Sequence, residues 1–188
     1  MQLTSPTVFF LLLSCCLWDV ESKNVASVIS VTNGGQWGEW GERKVCRTSE
    51  AKGFSLKVQL GQGSFSDDTS LNGIRLICTD DSVITSAVGK YGTWLDAHYC
   101  PSGFLASFSL RVSKERLFDN MAANNIKFKC TDGSELEGNG LAWGEYGKWS
   151  KSCEEAGICG IQTKVDTHKG IFSLDNTGLN DVKFFCCT

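Results

Sequence analysis

This sequence contains little proline and little histidine, with two residues of each in 188. Few proline breaks beside twenty glycines are typical of a chain with many turns, and eleven Phe, six Trp and three Tyr can fill a hydrophobic core. We therefore expect an all-β fold. The histidines, His98 and His168, stand alone, and cysteine pairs at the spacing of a zinc site are missing, so we predict no metal site and no cofactor.

Neither a strong charge excess nor a long hydrophobic run is present. Eighteen basic and twenty-one acidic residues give a formal charge of −3, which is too small to drive binding to nucleic acid or to anionic lipid. The apolar run at residues 8–13 is far shorter than a bilayer span and is typical of a secretory signal. We expect residues 1–22 to be removed, with cleavage after Cys16 as the alternative. The mature protein is then soluble and secreted, without membrane insertion.

Common catalytic motifs are also missing. The chain has no G-x-S-x-G, H-E-x-x-H or phosphate-loop pattern, and no Asn-x-Ser/Thr sequon. Glycan hydrolysis or transfer would need two carboxylates facing each other. Glu39 and Glu145 share a repeat position that Thr93 occupies in the middle copy, but nothing in the sequence fixes their separation. An enzymatic role stays open and is not favoured.

Three copies of one motif pair fill the mature chain. The pattern aromatic-Gly-x-Trp occurs at residues 37–40 (WGEW), 91–94 (YGTW) and 146–149 (YGKW), and a second motif follows it at 67–78, 119–130 and 175–186. Self-similarity at such a period indicates repeated supersecondary units. We predict a single domain, residues 23–188, made of copies at about 25–80, 81–132 and 133–188.

Each copy has the alternating pattern of half-buried strands. Ile74, Leu76 and Cys78 would share one face, with Arg75 on the other, and the later copies repeat this order. A unit of this size has no separate core, so we expect the three copies to bury their inner faces against one another about a pseudo-threefold axis.

Eight cysteines remain after signal removal, and an even number in an oxidising compartment predicts four disulfides. Eight cysteines allow 105 pairings. The repeats select one of them, because Cys46, Cys100 and Cys153 follow the repeat Trp at even spacings of six, six and four residues, and Cys78, Cys130 and Cys186 each end the second motif. The predicted pairs are Cys46–Cys78, Cys100–Cys130, Cys153–Cys186 and, in the third copy alone, Cys159–Cys187.

The sequence resembles the vitelline membrane outer layer protein I family. The resemblance rests on residues 34–41 (GGQWGEWG), the later Tyr-Gly-x-Trp copies, the Asp-x-x-x-x-Asn…Cys strands and the final Cys-Cys, and it covers the mature chain. It implies a β-prism, in which three antiparallel sheets with Greek-key connections form the walls. It also implies a secreted protein of egg coats or mucosal fluids.

The repeated aromatic motifs are the candidate functional residues. Flat rings stack on the apolar faces of sugars, although rings present in every copy also suit an architectural role in which they cap or fill the prism. We expect a structural or interaction component that meets coat glycoproteins or oligosaccharide, with a lectin-like binder as the alternative; the oligomeric state is open. The candidate glycan-binding residues are Trp37, Glu39, Trp40, Tyr91, Trp94, Glu145, Tyr146 and Trp149.

Overall fold

The computed structural model describes residues 24–59, 71–113, 122–154, 156–166 and 178–188. The predicted signal peptide lies outside these residues. Within them the chain forms β-strands and no helix, and accordingly no helix that could cross a membrane. The strands are β1 (Val25–Ile29), β2 (Glu39–Trp40), β3 (Lys44–Val45), β4 (Ala51–Val58), β5 (Leu71–Cys78), β6 (Val83–Thr85), β7 (Thr93–Trp94), β8 (His98–Tyr99), β9 (Leu105–Val112), β10 (Ala123–Cys130), β11 (Glu135–Glu137), β12 (Glu145–Tyr146), β13 (Ile158–Val165) and β14 (Leu179–Cys187).

The strands form three antiparallel sheets, which confirms the predicted all-β prism. The first sheet has the order β6-β5-β4-β7, with β8 also paired to β4. The second sheet has the order β11-β10-β9-β12. The third sheet has the order β1-β14-β13-β2, with β3 also paired to β13. Each sheet is therefore built around one long hairpin. We call the strand of this hairpin that comes first in the chain the central strand: β4 in the first sheet, β9 in the second and β13 in the third.

Every sheet is completed at both edges by strands from another copy. In the first sheet, β4 and β5 of the first copy are followed by β6 and β7 of the second, and β7 returns beside β4, which is a Greek key. The second sheet repeats this arrangement with β12 of the third copy. In the third sheet the edge strands β1 and β2 come from the start of the chain. The exchange closes into a ring, so no copy forms a complete sheet alone.

The inner faces of the sheets meet in a shared phenylalanine core. Ile74 and Leu76 are fully buried, whereas Arg75 between them lies half-buried on the outer face, as the alternation predicts. Phe128 of the second sheet contacts Phe54 of the first, with ring centroids 4.6 Å apart, and Phe184 of the third at 5.2 Å. One core therefore serves all three sheets.

All four predicted disulfides are present. Cys46 donates its backbone N–H to Cys159 of the third sheet and is bonded to Cys78 of the first sheet. The equivalent bridge Cys100–Cys130 joins the first sheet to the second, and Cys153–Cys186 joins the second to the third. The three repeated bridges thus link the sheets in a closed ring, while Cys159–Cys187 joins two strands of the third sheet.

Candidate functional site

The second residue of the aromatic motif is a glycine with positive φ in every copy. Gly38, Gly92 and Gly144 have φ of 85°, 83° and 76°. A Cβ on any of them would lie within 2.5 Å of the backbone of the last valine of a central strand, so glycine is needed both for its left-handed backbone and for its size. These three positions are structurally equivalent.

This equivalence corrects the third copy of the motif. The structurally equivalent motifs are residues 37–40, 91–94 and 143–146 (WGEY), because Glu145 and Tyr146 pair with β9 as Glu39 and Trp40 pair with β13. The prediction of residues 146–149 as the third copy is therefore wrong. Residues 143–149 (WGEYGKW) contain two overlapping matches to the broader pattern aromatic-Gly-x-aromatic, and only the second match ends in Trp. Cys153 consequently lies seven residues after the motif's last ring, whereas Cys46 and Cys100 lie six after theirs.

The first ring of each motif projects from the protein surface. Trp37 is 50% exposed, Tyr91 is 36% exposed and Trp143 is 65% exposed. The three rings hold equivalent positions in the repeat, because each directly precedes a glycine with positive φ that packs against the last valine of a central strand. Trp143 was not among the predicted candidates. The correspondence of Glu39 with Glu145, which the structure confirms, was the signal that could have identified it.

The last ring of each motif is half-buried against a cation on the outer face of a sheet. The Lys183 ammonium lies 4.1 Å from the ring centroid of Trp40. The Arg75 guanidinium lies 4.6 Å from the ring centroid of Trp94, and the Lys127 ammonium lies 4.7 Å from that of Tyr146. Cations at this distance are attracted to the ring face. These rings therefore cap the outer faces of the sheets and do not enter the phenylalanine core.

Trp149 extends this stacking in the second sheet. Its ring centroid lies 5.0 Å from the Lys127 ammonium and 4.6 Å from that of Lys129. Arg111 adds a further cation, 5.1 Å from the ring centroid of Tyr146. The outer face of the second sheet thus carries alternating cations and rings, and the prediction that Trp149 is the repeat Trp is replaced by this additional stacking role.

Side-chain hydrogen bonds from two equivalent positions fix the motif on its sheet. The basic residue before the last valine of each central strand donates to carbonyls in or beside the motif: Lys57 to Gly89 (2.9 Å) and Lys90 (3.1 Å), Arg111 to Gly144 (3.0 Å) and Lys164 to Gln36. The polar residue two positions earlier donates to the carbonyl that follows the motif: Ser55 to Leu95 (2.6 Å), Ser109 to Gly147 (2.8 Å) and Gln162 to Gly41 (2.9 Å). Because these hydrogen bonds already fix the backbone of the motif, binding through the exposed rings costs little further backbone entropy.

The two candidate carboxylates occupy edges of different sheets. Glu39 pairs with Val165 in the third sheet, and Glu145 pairs with Val112 in the second. Both side chains are exposed. They are not cross-strand neighbours, so the strand pairing does not bring them together. Within the residues that the structure describes, no group of three or more His, Cys, Asp or Glu is placed to hold a metal ion.

Asp181 is a partly buried carboxylate that only the third copy has at this position. Burial raises its pKa above the ordinary 3.8, and the Val182 N–H together with Lys164 and Lys183 offsets part of that rise. Asp181 packs directly against Gly34, where an added Cβ would collide with the carboxylate.

The equivalent pairs in the other copies show complementary sizes. Asn125 packs against Gly140 in the second copy, and Gly73 packs against Val88 in the first. The side chain is thus large on one partner and absent on the other in every copy.

Tyr146 is a second group with a shifted titration: burial and its hydrogen bond to Glu137 raise the pKa of this phenol.

Solved structures with the same fold include proteins named as lectins or agglutinins. Calystegia sepium agglutinin superposes with a TM-score of 0.57 at 13% identity, covering 86% of this chain and 96% of its own. Artocarpin in complex with mannopentose superposes with a TM-score of 0.52 at 12% identity, covering 87% of this chain and 97% of its own. At these identities the likeness shows the fold alone.

Sequence comparison gives a closer relationship. The family described as vitelline membrane outer layer protein I matches residues 27–188. The vitelline membrane outer layer protein 1 homolog of Mus musculus is 47% identical over 171 residues, which cover 86% of this chain and 84% of the mouse protein. Because the family match spans most of the sequence and a relative shares nearly half of the aligned residues, this chain belongs to the vitelline membrane outer layer protein I family.

Proposed function

We propose that this protein is secreted and acts as a structural or interaction component of a glycan-rich extracellular coat or mucosal fluid. It associates with coat glycoproteins through their oligosaccharides and does not turn them over. The observation that carries the proposal is the exposure of one ring per copy, Trp37, Tyr91 and Trp143, at equivalent positions of a rigid body.

The chemistry of these rings suits a sugar surface. An aromatic face covers the apolar face of a pyranose, and the indole N–H of Trp37 and Trp143 adds a hydrogen-bond donor. Each contact alone is weak. Three contacts on one rigid scaffold combine by effective concentration, which gives firm retention on a polymer that repeats its ligand and little affinity for a free monosaccharide.

The disulfides and the amino terminus support secretion. Four bridges that staple three sheets are typical of proteins that fold in an oxidising compartment. The apolar run at residues 8–13 is far shorter than a bilayer span and lies near the amino terminus, which is typical of a secretory signal. The name of the family refers to the outer layer of the vitelline membrane, an extracellular coat.

Retention on immobilised mucin or egg-coat glycoprotein tests the proposal. The wild-type protein should be retained, and the triple variant Trp37→Ala, Tyr91→Ala, Trp143→Ala should wash off. Tyr99→Ala is the matched control, because Tyr99 is 51% exposed but lies outside the motif. Retention of the triple variant equal to wild type would contradict the role of the rings, and a wild-type protein that binds neither surface would contradict the coat function.

A lectin with a defined saccharide ligand is the second candidate. The observation in its favour is that a protein of the same fold, artocarpin, has been crystallised with mannopentose. This candidate requires saturable binding of a small oligosaccharide, with quenching of Trp fluorescence, and a glycan array without signal would eliminate it. Incubation with chito-oligosaccharides separates both binding functions from catalysis, which would change the length of the oligosaccharides.

A further inference from the structure

The first copy contains a tryptophan pair that the other copies lack. Trp40 lies three residues after Trp37, and none of the other five tryptophans is followed by a Trp three residues later. Trp-x-x-Trp is the pattern in which secretory proteins receive a C-linked mannose on the first indole. The equivalent positions of the third copy hold Trp143 and Tyr146, so the protein carries its own near-match for comparison.

The fold leaves room for a hexose on Trp37. Half of the Trp37 surface is exposed, whereas Trp40 lies half-buried beneath the Lys183 ammonium. Gly38, with its positive φ, and Glu39 lie between the two residues, and the first ring is exposed whereas the second stacks with Lys183. A sugar on the first indole would therefore extend into solvent without displacing the core or the stacked cation.

We propose that Trp37 is a C-mannosylation site, an inference that depends on the secretion included in the proposed function. The donor is a polyprenyl-phosphate mannose of the secretory pathway. A bond forms between C1 of the mannose and C2 of the indole, polyprenyl phosphate leaves with the electron pair of the broken C1–O bond, and the indole C2 loses its proton. The product carries a neutral, hydroxyl-rich group on one of the three exposed rings.

Peptide mass spectrometry on protein recovered from the medium of a secreting cell line tests this site. We expect one added hexose on the peptide that contains Trp37, with fragment ions that place it on Trp37 and not on Trp40. The peptide that contains Trp143 should be unmodified. Trp40→Tyr gives the first copy the same W-G-E-Y sequence that already folds in the third copy, and it should abolish the modification.

A gain of modification provides the reciprocal test. Tyr146→Trp gives the third copy the sequence W-G-E-W, and a hexose should then appear on Trp143. Secreted protein without hexose on Trp37, from cells that modify a co-expressed Trp-x-x-Trp reporter, would overturn the inference. So would a hexose that persists on Trp37 in the Trp40→Tyr variant. Wild-type protein that never reaches the medium would instead contradict the proposed function.

Discussion

The Lys183 ammonium lies 4.1 Å from the ring centroid of Trp40, and this contact joins the last copy of the repeat to the first. Lys183 belongs to β14, whereas Trp40 belongs to β2, which completes the third sheet from the start of the chain. The Arg75–Trp94 and Lys127–Tyr146 contacts make the same connection in the other two sheets. The cation–π contact therefore joins β2, β7 and β12 to the sheet of the neighbouring copy.

Removing the cation at this position should weaken the third sheet. Lys183→Met keeps an unbranched apolar chain over Trp40 and deletes only the charge, so we expect the free energy of unfolding to fall by about 0.5 to 1 kcal/mol. Urea denaturation with the disulfides intact measures the change. Lys148→Met, at an exposed position, is the control, and equal effects of the two substitutions would contradict a specific contact with the ring.

Substitution of the glycine in the motif should lower the stability of the protein. Gly38 and Gly133 have nearly the same φ, 85° and 87°, but an added Cβ would meet the Val165 backbone at Gly38 and nothing within 4 Å at Gly133. Gly133→Ala should lose roughly 1 kcal/mol of stability from backbone strain alone. Gly38→Ala should lose more, because the Val165 backbone must also move. Thermal unfolding compares the two variants. Similar melting temperatures would show that the close approach of the Val165 backbone to Gly38 does not add to the loss of stability.

Two disulfides with similar loop lengths allow a test of the ring of sheets. Cys46–Cys78 and Cys159–Cys187 span 32 and 28 residues, so the chain-entropy model assigns each roughly 3 to 4 kcal/mol. Replacing either pair by Ala should lower the free energy of unfolding by about that amount.

The two variants should differ in native-state hydrogen exchange. Only the loss of Cys46–Cys78, which joins the third sheet to the first, should speed exchange in β3 beside Cys46. Unchanged exchange in β3 would mean that this bridge does not hold the junction between the sheets closed.

Asp181→Asn should stabilise the protein at neutral pH. Burial raises the folded-state pKa of Asp181 above its ordinary 3.8, so the native protein holds this proton to a higher pH than the unfolded chain does. The resulting stability is fully present below pH 3.8 and is lost as the pH rises through the folded-state pKa. Asn has no charge to bury, and Asn125 already occupies the equivalent position of the second copy.

Denaturation at several pH values checks this prediction. The advantage of the Asn variant should be present at pH 7, should shrink as the pH falls through the raised folded-state pKa of Asp181, and should be gone below pH 3.8. If the Asn variant is more stable by the same amount at every pH, the effect comes from packing against Gly34 and not from the charge. If the variant is less stable than wild type at pH 7, the buried charge of Asp181 carries no penalty.

The strand faces and the disulfides could be predicted from the sequence because they depend on local, repeated spacing. Alternation at Ile74 and Leu76 identified the buried face, and the equivalence of Cys46, Cys100 and Cys153 selected one set of bridges. The strand alternation appears in every copy, whereas the even spacing of Cys153 holds only when counted from Trp149, since Cys153 lies seven residues after the equivalent ring, Tyr146.

The exchange of edge strands and the register of the third motif could not be predicted in the same way. A two-residue strand such as β12 has no periodicity, and its partner strand β9 is set by tertiary contacts. Residues 143–149 satisfy the aromatic-glycine pattern twice, and only the backbone of Gly144, packed against Val112, decides between the two registers. Trp143 was overlooked for this reason.

The central claim, that one exposed ring per copy forms the contact surface, is tested most directly by dissociation from a mucin surface as the rings are removed one by one. The account predicts that Trp37→Ala, Tyr91→Ala and Trp143→Ala each speed dissociation moderately, and that double and triple variants dissociate progressively faster, since each removes one of three parallel contacts. A dissociation rate that stays at the wild-type value in the triple variant, or that one single substitution raises to the triple-variant value, would contradict it.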